Sequence, residues 1–251
     1  MHSKDETVAL IATPTTGRRV QDALMPHALT MELMTPVEIV YADSAELRAA
    51  SRELDRFDAL VVGSEHAIAA LDRLPGPVFS GQAFAVGPRT QAALGRSPRI
   101  AGPIQTATLR RSEGLMDELR SALPDLQRSS LVFPRAEEGR GWLVEKLKAA
   151  GARLASPVAY HTRTVPIPDG AFRLRRATVV GIASGGMLKH LLEVVPSALE
   201  ILRERRVVAM GPITAEQLEV QGIRADAVAD PPSAGNMAEA LFRVAREGTA
   251  P

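Results

Sequence analysis

The residues able to do chemistry in this chain are hydroxyls and charged groups placed at the ends of short apolar runs. Thr13, Thr15 and Thr16 follow VALIA; Ser64, Glu65 and His66 follow ALVVG; Arg89 and Thr90 follow AFAVGP. Arg135 and Glu137 follow SLVFP, Ser184 follows TVVGIA, and Ile213 and Thr214 follow VVAMGP. Unbroken apolar runs of this length read as buried parallel strands. In open parallel sheets the ligand lies beyond the carboxyl ends of the strands, which is where these side chains fall. The pattern Gly-Pro-x-Thr occurs at 87–90 and again at 211–214. Proline suits the first turn of a helix, and the free N–H groups there attract an anion. Hydroxyls, helix N-termini and guanidinium forks together suit a ligand carrying several carboxylates or phosphates. A plainer reading makes Thr90 and Thr214 N-terminal helix caps, with Thr214 and Gln217 in capping-box spacing.

Other chemistries find no support. The histidines are His2, His27, His66, His161 and His190, and no two have metal-ligand spacing on one helix face, so no metal site is expected. The chain has no cysteine, which removes disulfides, thiolate catalysis and Cys-ligated metals. Neither GxGxxG nor GxxxxGK[ST] occurs, and Ser64 lacks the GxSxG elbow of a hydrolase. His66, where a strand gives way to a helix, is placed to meet a ligand or simply to face solvent. Tyrosine is used only twice, at Tyr41 and Tyr160. A phenol beside a ligand can donate a proton; the alternative is a ring packed for structure alone.

These residues need elements to position them, and the chain repeats its elements. DALVVGSEHAIAAL at 58–71 returns as ATVVGIASGGMLKHL at 177–191, and FAVGPRTQAAL at 84–94 as VAMGPITAEQL at 208–218. A weaker pair is LIATPTTGRR at 10–19 and LVFPRAEEGR at 131–140. Ser64 falls on Ser184 and Thr90 on Thr214, near half of the 251 residues apart, which is a domain-sized duplication rather than a solenoid period. Short apolar strands alternating with amphipathic helices, among them 44–56 and 112–123, give two doubly wound α/β domains. The stretches 36–42 and 156–165 read as extended crossings between them. One domain is then discontinuous, residues 1–35 plus 166–251, and the other, 43–155, is inserted into it. Ligands favour the interface of two such domains.

Bulk properties narrow the partners. Lys plus Arg is 30 and Asp plus Glu 29, a balance that argues against nucleic acid as a partner. Aromatics are 4%, too few for a base-stacking surface. The basic residues are nearly all Arg, which suits carboxylate recognition and also follows from a GC-rich genome. No segment approaches a membrane span, and MHSKDETVAL has no signal-peptide core, so a cytoplasmic location is expected.

The fragments GSEHA, AVGPRT, VFPRAEEGR, GARLASPVAYHTRT, GIASGG and AMGPITAEQLEVQGI, in this order, resemble uroporphyrinogen-III synthase over nearly the whole chain. The resemblance implies two flavodoxin-like parallel-sheet domains joined by a two-stranded linker, with the site in the cleft between them. It implies a monomer that cyclises the linear tetrapyrrole hydroxymethylbilane, inverting its terminal pyrrole ring and losing water, with no cofactor. By the resemblance Tyr160 matches the tyrosine that helps the hydroxyl leave, and Ser64, Thr90, Ser184 and Thr214 match substrate-facing positions. Thr13, His66 and Arg135 complete the expected substrate-binding set. The chain departs from the family pattern at Gly63, Glu65 and Ile213. Those departures keep a second reading open: a diverged ligand-binding protein on the same scaffold.

Overall fold

The computed structural model describes residues 7–27, 29–109, 111–139 and 141–247. His2 and the opening residues of the expected first domain lie outside the described residues. In chain order the elements begin with β1 (Val8–Ile11), α1 (Pro14–Leu24), β2 (Met31–Met34), β3 (Val37–Tyr41), α2 (Ala45–Arg52), β4 (Ala59–Val62) and α3 (Glu65–Asp72). There follow β5 (Gln82–Ala85), α4 (Pro88–Arg96), β6 (Ile104–Thr106), α5 (Ser112–Ala122), β7 (Ser130–Val132), β8 (Arg135–Ala136), α6 (Trp142–Ala149), β9 (Arg153–Ala155) and β10 (Val158–Thr164). The last are α7 (Gly170–Arg176), β11 (Val179–Ile182), α8 (Gly185–Val194), α9 (Ala198–Arg203), β12 (Arg206–Ala209), α10 (Pro212–Val220), β13 (Ala227–Val228) and α11 (Ala234–Glu247).

The chain divides into two compact units, one made of the residues up to Glu38 and from Arg163 on, the other of Ile39–Thr162. The first holds a parallel sheet in the order β2-β1-β11-β12-β13, and the second one in the order β9-β7-β4-β5-β6. The first order, counted along the chain within its own unit, is 2-1-3-4-5, the flavodoxin-like winding. The two sheets correspond strand for strand if β4, β5 and β6 stand for β11, β12 and β13, and β7 and β9 for β1 and β2. This explains all three sequence repeats, including the weak one that set residues 10–19 against 131–140. The second unit is a circular permutation of the first: the same sheet, with the chain entering at a different strand.

The central strands are apolar on both faces because helices cover both. In β1, Val8 and Leu10 belong to one core cluster and Ala9 and Ile11 to the other. In β4, Leu60 and Val62 face one cluster while Ala59 and Val61 face the second. Successive strand side chains point to opposite faces, so an unbroken apolar run is what a doubly covered strand requires. Burying each Leu, Ile or Val contributes about 1.5–3 kcal/mol.

The crossings are strands, and they pair. Val165 N–H donates to Pro36 C=O at 2.9 Å, and Ala42 N–H to Ala159 C=O at 2.9 Å, the ladder of an antiparallel pair β3 and β10. Short β8 adds a third strand, parallel to β10. The expected helix over 44–56 stops at Arg52 and gives way to a single 3-10 turn at Leu54–Arg56. α1 starts at Pro14, because Thr13 caps it and proline fits its first turn. Among the described residues no helix is long and apolar enough to cross a membrane.

One buried charge holds the second unit together. Arg99, 8% exposed, donates from Nε to Pro77 C=O (3.0 Å), from Nη1 to Leu71 C=O (2.9 Å) and Leu74 C=O (2.6 Å), and from Nη2 to Ser51 C=O (3.0 Å). Leu71 lies in the last turn of α3 and Leu74 just beyond it, so a side chain from a distant loop adds donors at the end of that helix.

Candidate functional site

The hydroxyls at the strand ends act in two different ways. Thr13, Ser64 and Ser184 follow β1, β4 and β11 and are the N-caps of α1, α3 and α8. Thr13 accepts from Thr16 N–H at 3.4 Å, Ser64 from His66 N–H at 3.2 Å, and Ser184 from Met187 N–H at 3.2 Å. Each keeps its O–H; that of Thr13 donates to the Thr16 hydroxyl at 3.2 Å. Thr90 and Thr214 are not caps. Gly87 and Gly211 hold the cap positions of α4 and α10, which puts each threonine inside the first turn, 4% and 5% exposed. The Thr214 hydroxyl donates back to Met210 C=O at 3.2 Å. The capping-box reading of Thr214 with Gln217 is therefore overturned: the helix starts one residue after the glycine, so the threonine is too far in. The twin glycines differ too. Gly211 has φ 101° and a Cβ there would lie 2.7 Å from Pro232 Cγ, whereas Gly87 is extended.

In both units the switch in winding falls beside a capping hydroxyl. β1 and β11 are neighbours in one sheet and carry Thr13 and Ser184 at their carboxyl ends. β7 and β4 are neighbours in the other and lead to Arg135 and Ser64. That crevice is the usual ligand position of a doubly wound sheet. Arg135 donates from Nη1 to Ala136 C=O at 3.0 Å, and its Nε is buried without a hydrogen-bond partner among the described residues. Ile213, in the first turn of α10, is 72% exposed.

The second unit gathers the titratable groups. The His66 ring lies edge-on between two phenols, 5.3 Å from the Tyr160 ring and 6.5 Å from that of Tyr41, both at 61°. The Arg73 guanidinium sits 4.1 Å over the Tyr41 ring. Glu65 is held by Arg89, Nη2 to Oε1 at 3.0 Å. Burial holds the His66 imidazole below its ordinary pKa; the Glu65 carboxylate opposes this and the Arg89 guanidinium adds to it. The ring is neutral at pH 7. Tyr160 is 9% exposed, and burial raises its pKa; a hydrogen-bonding interaction with the Ser64 hydroxyl opposes the shift, while Glu138, Tyr41 and Glu65 add to it. The phenol is thus a firmly protonated donor. Among the described residues no group of three His, Asp or Glu could hold a metal ion.

The family model described as Uroporphyrinogen-III synthase HemD matches residues 29–239. The chain belongs to the uroporphyrinogen-III synthase family. Its fold is that of the solved structures from this family. A mutant uroporphyrinogen III synthase from the extremely thermophilic bacterium Thermus thermophilus is 16% identical with a TM-score of 0.63, over 96% of this chain and 99% of that one. The uroporphyrinogen-III synthetase from Helicobacter pylori 26695 is 16% identical with a TM-score of 0.56, over 93% and 97%. No curated protein matches the chain.

Within this uroporphyrinogen-III synthase fold, Ser64, His66 and Tyr160 come together, joined by Tyr41. Thr13 and Ser184 meet at neighbouring strand ends of the other unit, while Thr90 and Thr214 each sit under their own helix. Sequence reasoning placed Glu65 and Arg89 at strand ends without pairing them, and did not single out Arg73. Their signal was available only as the ordinary observation that charged residues open and close α3 and α4.

Proposed function

We propose that this member of the family is a uroporphyrinogen-III synthase, cyclising hydroxymethylbilane with inversion of the terminal pyrrole ring. One observation carries the reading: a phenol only 9% exposed, Tyr160, has its ring 5.3 Å from that of His66, the residue whose N–H binds the capping hydroxyl of α3, Ser64. In this reading Tyr160 donates its proton to the departing hydroxyl of the bilane, which leaves as water while the pyrrole nitrogen's electron pair forms an azafulvene. The substituted carbon of the terminal ring then attacks to give a spiro intermediate, and much of the acceleration comes from holding that geometry. Thr13, Ser64, His66, Thr90, Arg135, Ser184 and Thr214 are the proposed substrate-binding set. Helix N-termini at these positions favour the carboxylates of the bilane. Glu65 does not oppose them as a free charge, because Arg89 neutralises it.

The exposed Ile213, where a hydroxyl would suit a polyacid better, favours a second reading, a related binding protein with another ligand. The test is to supply enzymatically generated hydroxymethylbilane and to separate the oxidised porphyrin isomers. Type III product above the spontaneous type I background supports the synthase; type I alone rejects it.

A further inference from the structure

We propose that His66 is a positioning residue, whose ring packs edge-on against both Tyr41 and Tyr160 and keeps the Tyr160 phenol dry and held beside the first turn of α3. The proposal rests on Tyr160 being the proton donor of the reaction proposed above.

The geometry comes from three elements. Tyr160 stands on β10 and Tyr41 on β3, adjacent strands of the crossing sheet. His66 stands in the first turn of α3, whose cap is Ser64. The backbone N–H of His66 donates to the Ser64 hydroxyl oxygen at 3.2 Å, so one residue supplies both the ring beside the phenol and the bond that fixes the hydroxyl. The ring centroids, 5.3 and 6.5 Å apart at 61°, are in the range of favourable edge-to-face pairs. Arg73 closes the far side of Tyr41 at 4.1 Å. The row is therefore Arg73, Tyr41, His66, Tyr160, with Glu65 and Arg89 paired at the rim. A charged imidazolium would attract water into this row and repel Arg89; the neutral ring that burial enforces does neither. A phenol kept dry stays protonated and retains its proton for the substrate.

The test uses the fact that the chain has only two tyrosines. In the Tyr41→Phe protein every nitrotyrosine formed by tetranitromethane at pH 8 is on Tyr160. The reagent attacks the phenolate, so its rate reads both access and ionisation. Adding His66→Ala is expected to raise the nitration rate roughly tenfold, the effect of one pKa unit on the phenolate fraction. Adding His66→Phe, which restores a ring, is expected to keep the rate near the reference. Rates are compared among proteins whose circular dichroism matches the reference, and His66→Leu replaces the alanine variant if that one does not fold. A small-residue or Leu variant nitrated within twofold of the reference overturns the proposal, as does a His66→Phe rate as high as either. In the otherwise unmodified protein, His66→Ala should lower kcat for type III product by a larger factor than it raises KM, because loss of the dry phenol falls on the chemical step. If the parent protein makes no type III isomer, the synthase reading fails while the nitration result still stands or falls by itself.

Discussion

Arg99→Met is the sharpest test of how the second unit is held together. Arg99 places a full charge where it is 8% exposed, and desolvating it costs several kcal/mol. Four backbone carbonyls, Ser51, Leu71, Leu74 and Pro77, accept from it at 2.6 to 3.0 Å, and the Ser51 hydroxyl lies at 3.3 Å from Nη1. Bonds to a charged donor contribute about 1.5–3 kcal/mol each, which offsets the desolvation. Methionine fills the same channel but donates nothing, so the carbonyls other than Leu71, which keeps the Leu74 N–H, are left unsatisfied at about 1–3 kcal/mol apiece where water cannot reach them. The sum after partial hydration is a loss of about 3–5 kcal/mol, a large share of the stability of an ordinary domain. Arg99→Lys keeps the charge but presents its donors from one nitrogen, and cannot span carbonyls reached by three separate atoms; it should recover less than half of the loss. Urea unfolding followed by the fluorescence of Trp142, the single tryptophan and a residue of the same unit, measures both. A methionine variant within about 1 kcal/mol of the parent would refute the reasoning, since the guanidinium would then have gained no more than its burial cost.

Four further outcomes are expected. Tyr160→Phe should lower type III formation about 100-fold or more, the usual weight of a general acid, while the urea midpoint stays near that of the parent; an unchanged rate removes the phenol from the reaction. Ser184→Ala should destabilise by about 1 kcal/mol, since the cap bond to Met187 N–H at 3.2 Å is lost, and calorimetry would read it. Gly102→Ala drives a Cβ into Gly81 C=O, a backbone atom that cannot yield, whereas at Gly185 the Cβ meets only the Gln217 side chain. The first should cost about 2 kcal/mol or more, and the second should be restored by adding Gln217→Ala, both read from urea midpoints. On acidification, His66 has a folded pKa below 6.5, so the unfolded chain binds more protons and stability falls as pH drops through that window. Asp58, whose carboxylate accepts from Ser130 N–H at 2.7 Å and its hydroxyl at 2.8 Å, has a pKa lowered by those bonds. Its stabilisation is present above 3.8 and lost as pH falls through the lowered value. An NMR titration of His66 giving a pKa at or above 6.5 contradicts the burial argument.

Much of the fold was legible because its central strands are covered on both faces. VALI, ALVV and VVGI can be little else in an α/β chain, and they carried Thr13, Ser64 and Ser184 to their ends. The edge elements were not legible. β6 is Ile-Gln-Thr, β9 is Arg-Leu-Ala and β13 only two residues, too short and mixed to show a period. Short helices such as α7 and α9 escaped for the same reason.

Composition and order along the chain were enough to specify parallel sheets, a duplicated unit and hydroxyls at strand ends, because hydrophobic period and helix starts are local properties. Only the folded chain decided that the second unit is a permuted copy of the first, and that Gly87 and Gly211 rather than the threonines cap their helices. It also decided that His66 lies between two tyrosines and that Arg99 is a buried staple. Tyr41, His66 and Tyr160 come from separate strands and a helix, and burial shifts the pKa of His66 down and that of Tyr160 up. Neither contact nor burial is written in a stretch of sequence, since both depend on what other segments bring to the same place.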